Sequence, residues 1–160
     1  MKVKNIFKSL VFLVCLFSTG AVFSQNDYVW DYYKLQVTLP NDFKEIMDNE
    51  NEFEVKGDGM ELYMYVFADH HVTLEEMNTE TVKVARQLKF EVTDQTTEIN
   101  DDEFAGRYVL GYKDGIQIMV AGMIQKNNGT NLWIAIAFAD GDKEAEHEGI
   151  KIINSLKHTK

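Results

Sequence analysis

Leu132-Trp133-Ile134-Ala135-Ile136-Ala137-Phe138-Ala139 is the stretch that decides the fold of this chain. With the period of two of a β-strand, branched and aromatic side chains fall on one face and mostly alanines fall on the other. Because both faces are apolar, the stretch is predicted to be a central strand that is covered on both sides, with Ile136 fully buried. The row of alanines would leave space for a helix to pack closely.

Turn signals divide the neighbouring sequence into a meander and a helix. Residues 104–112 and 116–125 are apolar runs that end at the hairpin sequences Asp114-Gly115 and Asn128-Gly129. Asp140-Gly141-Asp142 follows the central strand and is predicted to cap the start of a last helix. The predicted buried side of that last helix consists of Ala145, Gly149, Ile150, Ile153 and Leu156.

The first half of the sequence predicts more strands and one further helix. Residues 33–39, 52–56 and 60–67 are predicted strands, whereas residues 41–51 are acidic and look irregular. Thr73 and Glu76 have the spacing of a capping box at the start of a helix. The chain is therefore predicted to be one α+β domain, with an antiparallel sheet of about six strands flanked by helices in an α/β/α sandwich.

Three parts of the sequence carry a resemblance to a known family. They are the opening strand 33–43, which ends in Pro40 and Phe43, the middle region with Gly106-Arg107 and the Asp114-Gly115 hairpin, and the end, residues 132–157. This pattern resembles the PsbP-like family, which includes the Ran-binding Mog proteins and bacterial DcrB-like envelope proteins. The resemblance implies an antiparallel α/β/α sandwich and a docking or accessory role instead of catalysis, in an exported bacterial member of the family.

Residues 1–24 are typical of a secretory signal peptide. A basic start is followed by a short apolar run from Leu10 to Phe17 and by small and polar residues up to Ser24. The apolar run is about half of the ~20 residues that a membrane span needs, although an uncleaved anchor and a lipoprotein acylated at Cys15 stay open as alternatives. Cleavage would leave residues 25–160 as a single domain without cysteine. The predicted location is the periplasm or the exterior of a Gram-negative bacterium.

The net charge of the chain indicates which classes of molecule it can bind. The predicted signal peptide holds three lysines and no acid, so its removal would change the net charge from −10 to −13. Such a chain is a poor nucleic-acid binder, and no stable membrane insertion is expected after cleavage. The acids concentrate in segments 41–61, 91–103 and 140–148, which look like loops or helix starts. They indicate either simple solubility or attraction to a basic partner surface or to divalent cations.

Few residues have catalytic or metal-binding character. Asp69, His70 and His71 form the one compact polar patch with ligand character, at a junction between a strand and a helix. A metal site needs three or four converging ligands, so no metal, cofactor or catalytic residue is assigned, and solvated polar residues explain this patch more simply. Ser155 is the only serine after residue 24, and it lacks the strained turn of a nucleophile. Asp140-Gly141-Asp142 is explained by a helix cap better than by a calcium loop.

Two functions remain open from the sequence. The first is a non-enzymatic envelope protein that binds or docks to an unknown protein partner. The alternative is a small-molecule or metal-dependent enzyme that uses Asp69, His70 and His71. Four aromatic residues near the first strand, Tyr28, Trp30, Tyr32 and Tyr33, indicate either a packed sheet edge or an aromatic docking surface.

Overall fold

The computed structural model describes residues 24–67, 72–92, 95–127 and 131–159. Within these ranges the chain forms eleven strands and two helices. The strands are β1 (Gln25–Trp30), β2 (Leu35–Pro40), β3 (Lys44–Asp48), β4 (Phe53–Lys56), β5 (Met60–Phe67), β6 (Glu91–Val92), β7 (Thr97–Asn100), β8 (Phe104–Lys113), β9 (Ile116–Gln125), β10 (Asn131–Ala139) and β11 (Lys157–His158). The helices are α1 (Leu74–Gln87) and α2 (Lys143–Asn154).

An eight-stranded antiparallel sheet forms the middle of the fold. Its order is β3-β4-β5-β10-β9-β8-β6, and β7 also pairs with β8. The predicted central strand is β10, which lies between β5 and β9, and Ile136 is fully buried opposite Leu62 and Met119, as predicted. The α+β class is therefore confirmed.

The estimate of about six strands was too small. Residues 41–51 were interpreted as irregular, but they contain the edge strand β3, and the start of the acidic segment 91–103 forms the edge strand β6. An edge strand has no strand on its outer side and needs little apolar sequence, and charged residues on it discourage aggregation. Its charges therefore hid these strands from an interpretation based on hydrophobic alternation.

A second, three-stranded sheet and helix α2 cover one face of the large sheet. The small sheet has the order β1-β2-β11. Its buried side chains belong to the same core cluster as Leu132, Ile134, Ile136 and Phe138 of β10. Helix α2 packs beside it, and a Cβ atom placed at Gly149 would lie 3.6 Å from Met119 Cε. The buried side of α2 is made by Gly149, Ile152 and Ile153, so Ile152 was missed, while Ala145 and Ile150 are only partly buried.

Helix α1 covers the opposite face, which completes the α/β/α arrangement. Its buried residues Met77, Val84 and Ala85 pack in a second core cluster with Val120 and Trp133. The helix lies mainly over β8 and β9, not over the alanines of β10. The close approach is made possible by Gly122 in β9, where a Cβ atom would lie 2.4 Å from Thr81 Oγ1.

Local capping signals were predicted correctly. Thr73 and Glu76 form the full capping box, and the side chain of Asp142 accepts hydrogen bonds from the backbone N–H groups of Glu144 and Ala145. Asp114 and Gly115 have φ angles of 50° and 81°, as the hairpin between β8 and β9 requires. The Asn128-Gly129 hairpin lies outside the described residues. Neither described helix has both the length and the apolar character that crossing a membrane would require.

Candidate functional site

A polar cluster lies on the sheet face where β4 and β5 pair. The two strands are joined by a tight turn in which Gly57 N–H donates to Met60 O at 2.9 Å. The register places Glu54 opposite Tyr63 and Lys56 opposite Glu61. Because directly opposite residues of an antiparallel pair project to the same face, these four side chains come together. We call them the Glu61 cluster.

Glu61 is the buried centre of this cluster. It is 5% exposed, although it carries a carboxylate. The Tyr63 hydroxyl donates to Glu61 Oε2 at 3.1 Å, and the half-exposed Lys56 ammonium contacts Oε1. A buried carboxylate is costly unless charge and hydrogen bonds compensate it, and both oxygens are compensated here.

Electrostatics keep the phenol of this cluster protonated. Burial raises the pKa of Tyr63 far above its ordinary value, and the charges of Glu61 and Glu54 raise it further. Burial also raises the pKa of Glu54, with the charge of Glu61 as the second cause, while a hydrogen bond from Tyr63 opposes the rise. Tyr63 therefore stays protonated, donates its one O–H to Glu61, and is a poor general base. The cluster stabilises the β4–β5 hairpin and presents the Lys56 ammonium outward.

The residues that the sequence singled out for chemistry are placed as follows. Asp69, His70 and His71 lie outside the described residues, as do residues 1–23 of the predicted signal peptide. Within the described ranges, no three His, Cys, Asp or Glu side chains are grouped so that they could hold a metal ion. Ser155 has a structural role, because its Oγ accepts from Thr38 N–H at 2.9 Å and donates to Ile152 O at 2.7 Å.

A groove of about 580 Å³ runs along α1. Its described lining residues all come from that helix: Asn78, Thr79, Val82, Lys83, Arg86 and Gln87. A site that encloses a substrate normally draws polar groups from several elements. This groove therefore does not supply a converging set of catalytic groups from the described part of the chain.

Three of the four N-terminal aromatic residues hold the β3–β4 hairpin in place. Tyr28 OH donates to Phe43 O at 2.6 Å, and Trp30 Nε1–H donates to Asn49 O at 2.7 Å. Tyr33 OH donates to Glu50 O at 2.7 Å. The packed interpretation is therefore correct for these three. The sequence showed the aromatic group, but its carbonyl partners come from a segment that was interpreted as irregular.

Exposed apolar side chains lie on β3 and in the turn that borders its end. Five large apolar side chains are exposed in the described ranges, and they are Tyr32, Ile46, Met47, Leu74 and Tyr112. Ile46 and Met47 lie on β3, and Tyr32 lies in the turn between β1 and β2. That turn borders the end of β3, because Trp30 Nε1–H donates to Asn49 O and Tyr33 OH donates to Glu50 O. We call Tyr32, Ile46 and Met47, together with the acidic residues of segment 41–56, the edge surface.

Charge around the edge surface is strongly negative. Burial raises the pKa of Asp48, and the nearby charge of Asp31 raises it further. Residues 41–56 hold six acidic residues and two lysines. Apolar side chains within an acidic rim are typical of a surface that contacts another macromolecule. The edge surface is therefore a better candidate for function than the internally paired Glu61 cluster.

Comparison with known proteins gives structural neighbours only. No protein-family model matches the sequence, and no curated protein is similar to it in sequence. A Bacteroides thetaiotaomicron protein superposes with a TM-score of 0.53 and 13% identity over 85% of this chain. This chain spans only 48% of the length of that protein.

Two further neighbours are Mog1 structures. The Ran-binding protein Mog1p of Saccharomyces cerevisiae superposes with a TM-score of 0.58 and 9% identity, over 85% of this chain and 96% of that one. A point mutant of Mog1 gives a TM-score of 0.56 and 7% identity, over 84% of this chain and 96% of that one. Identities this low are informative about the fold alone. The chain therefore has a Mog1-like α+β fold.

Proposed function

We propose that this chain is an exported, non-enzymatic protein that docks to another protein of the cell envelope. The observation that carries the proposal is the edge surface, where β3 and the turn that borders its end expose three large apolar side chains beside the acidic segment 41–56. Its fold resembles that of Mog1p, which is described as a Ran-binding protein. That likeness supports a protein-binding role and does not identify Ran as the partner of this chain.

The roles of the reactive groups in the described ranges support docking over catalysis. Ser155 bridges the end of α2 to β2, and Tyr63 donates to the buried carboxylate of Glu61. A hydrolase would need a nucleophile beside a base in an exposed setting. The polar groups of these positions instead stabilise the fold. The candidate enzyme site at Asp69, His70 and His71 receives no added support.

The proposed location and partner follow from the sequence. A signal peptide over residues 1–24 would place the mature chain in the periplasm or outside a Gram-negative cell. At a net charge of −13, the mature chain would attract a partner with a basic surface and repel nucleic acid. We propose no cofactor and no stable membrane insertion.

Site-specific crosslinking in the native host envelope tests the docking function. A photo-crosslinking phenylalanine analogue replaces Tyr32 in one variant and Tyr112 in another, since both tyrosines are exposed but only Tyr32 belongs to the edge surface. We expect a discrete crosslinked protein from position 32 and little from position 112. Crosslinking should weaken as salt rises to physiological strength, where charges are screened over ~8 Å. If neither position yields a specific product, the docking function is wrong.

A further inference from the structure

Strand β3 ends the large sheet with an open edge. Among the described strands, only β4 pairs with β3. Four of the five β3 residues are exposed and the fifth is partly exposed. An edge strand presents unpaired backbone N–H and C=O groups, which can pair with another extended chain. The position of β3 therefore makes a further strand sterically and chemically reasonable there.

Hydrogen bonds fix both ends of this open strand. Tyr28 holds Phe43 O just before β3, and Trp30 holds Asn49 O just after it. The Trp30 ring is fully buried and lies 4.7 Å from that of Tyr33, which in turn holds Glu50 O. A strand that is already ordered loses less entropy when it binds a partner. The edge strand β3 is therefore already ordered before a partner binds.

The side chains of β3 offer apolar contacts to a partner. Ile46 is 54% exposed and Met47 is 37% exposed, although neighbours in a regular strand project to opposite faces. A register shift between Glu45 and Met47 marks a β-bulge at Ile46. Bulges and charges usually protect an edge from pairing, but two consecutive exposed apolar residues have the opposite effect. A partner strand would bury them.

The net charge of the β3–β4 hairpin favours a basic binding partner. Residues 41–56 carry a net charge of −4, from six acids and two lysines. A second copy of this chain would bring the same negative charge to the edge and would be repelled. A segment with lysine or arginine residues would instead meet Glu45, Asp48 and Glu50. Charge complementarity therefore favours a basic partner over self-association.

We propose that β3 accepts an extended basic segment of the partner protein as an added strand of the large sheet. Main-chain hydrogen bonds along β3 would give affinity, and Ile46 and Met47 would contact alternate apolar side chains of the segment. Acids of the hairpin would pair with its basic residues. This inference rests on the proposed docking function and specifies the partner chemistry and the binding mode.

A synthetic peptide tests the inference with the purified protein. The peptide has about seven residues, the length of an ordinary strand, with lysine and valine in alternation. We expect saturable binding by fluorescence anisotropy, and at least tenfold slower hydrogen exchange of the β3 amides with no change at β6, the opposite edge. The control peptide carries N-methyl groups on alternate amides, which keeps its charge but blocks strand pairing, and it should bind at least tenfold more weakly. Equal binding of both peptides, or unprotected β3 amides, would overturn the inference.

Matched variants separate the edge from general electrostatic attraction. Met47→Ser should weaken peptide binding several-fold, whereas Leu74→Ser should not, although Leu74 and Met47 are similarly exposed at 38% and 37%. Glu45→Gln should weaken binding more than Glu91→Gln, which removes an exposed acid from β6. Equal effects within each pair would overturn the inference. If crosslinking finds a partner at another surface while the β3 amides stay unprotected, docking stands and this binding mode is wrong.

Discussion

Replacing Gly122 with alanine tests how closely α1 packs on the sheet. A Cβ atom there would lie 2.4 Å from both Thr81 Oγ1 and Trp133 Cζ3, far inside the ~3.5 Å at which atoms normally touch. Met77 Sδ, at 2.6 Å, can swing aside because its side chain is flexible. Thr81 is held by its hydrogen bond to Met77 O at 2.7 Å, and Trp133 stacks on Phe67. To relieve the clash with the new methyl group, α1 must therefore move away from the sheet by roughly 1 Å.

Overpacking of this kind costs about 2 kcal/mol in the free energy of unfolding. For a chain of this length, that loss corresponds to a melting temperature lower by roughly 4–8 °C. Gly149→Ala is the matched control, because a Cβ atom there meets nothing closer than 3.6 Å and lies inside helix α2. Alanine in a helix interior is favoured over glycine, so Gly149→Ala should raise stability by about 0.5–1 kcal/mol.

Urea unfolding, followed by the fluorescence of the two tryptophans, measures both variants. Gly122→Ala should lower the midpoint without a large change in the slope of the transition, and Gly149→Ala should raise the midpoint. A double variant with Thr81→Ala tests the cause, since removal of Oγ1 relieves one of the two closest contacts of the new methyl group, while the contact with Trp133 remains. The double variant should lose less free energy of unfolding than the sum of the losses of the two single variants. Wild-type stability of Gly122→Ala, or an equal loss for Gly149→Ala, would refute the close packing of α1.

Three further variants or measurements extend these tests. Ile136→Asp would bury an unpaired charge and should cost ~3–5 kcal/mol in unfolding free energy, so an unchanged melting temperature would contradict the central position of β10. Glu54→Gln should stabilise the protein at neutral pH, because the folded state raises the pKa of Glu54 and so penalises its charged form. The stability gain of Glu54→Gln should shrink as the pH falls through the raised pKa and vanish below the ordinary pKa of about 4.3. A gain that does not depend on pH would contradict the raised pKa of Glu54. Export should produce a mature chain that begins at Gln25, and an intact mass that retains residues 1–24 or includes a lipid on Cys15 would contradict cleavage after Ser24.

The parts of the fold that were predictable from sequence are those specified by local patterns. β10 is apolar on both faces, and the caps at Thr73 and Asp142 depend on residues that are close in sequence. The strand β3 was missed because its alternation is hidden by Lys44, Glu45 and a bulge. An edge strand depends on pairing with a neighbour, and such pairing has a weak signature in local sequence.

The candidate surfaces were less predictable, because they depend on contacts between distant segments. Tyr28 and Trp30 were noticed as a group, but nothing local shows that they bind the carbonyls that flank β3. The alanines of β10 were interpreted as space for a closely packed helix, whereas α1 makes its close contact at Gly122 of the next strand. The Glu61 cluster had a usable signal, since an acid in a strand with large apolar neighbours must find partners when it is buried.

The small sheet has a consequence for the order in which the chain folds as it emerges from its N-terminal end. β2 is its middle strand, and it pairs with β1 nearby in sequence and with β11 at the far end of the chain. Ser155 and Thr38, which join α2 to β2, are 117 residues apart. β2 emerges long before its second partner β11, so the core around Leu35, Val37 and Leu39 is complete only when the last helix has emerged. Contacts of such long sequence separation close slowly, and a chain that stops short of Leu156 would leave this apolar surface open to aggregation or proteolysis.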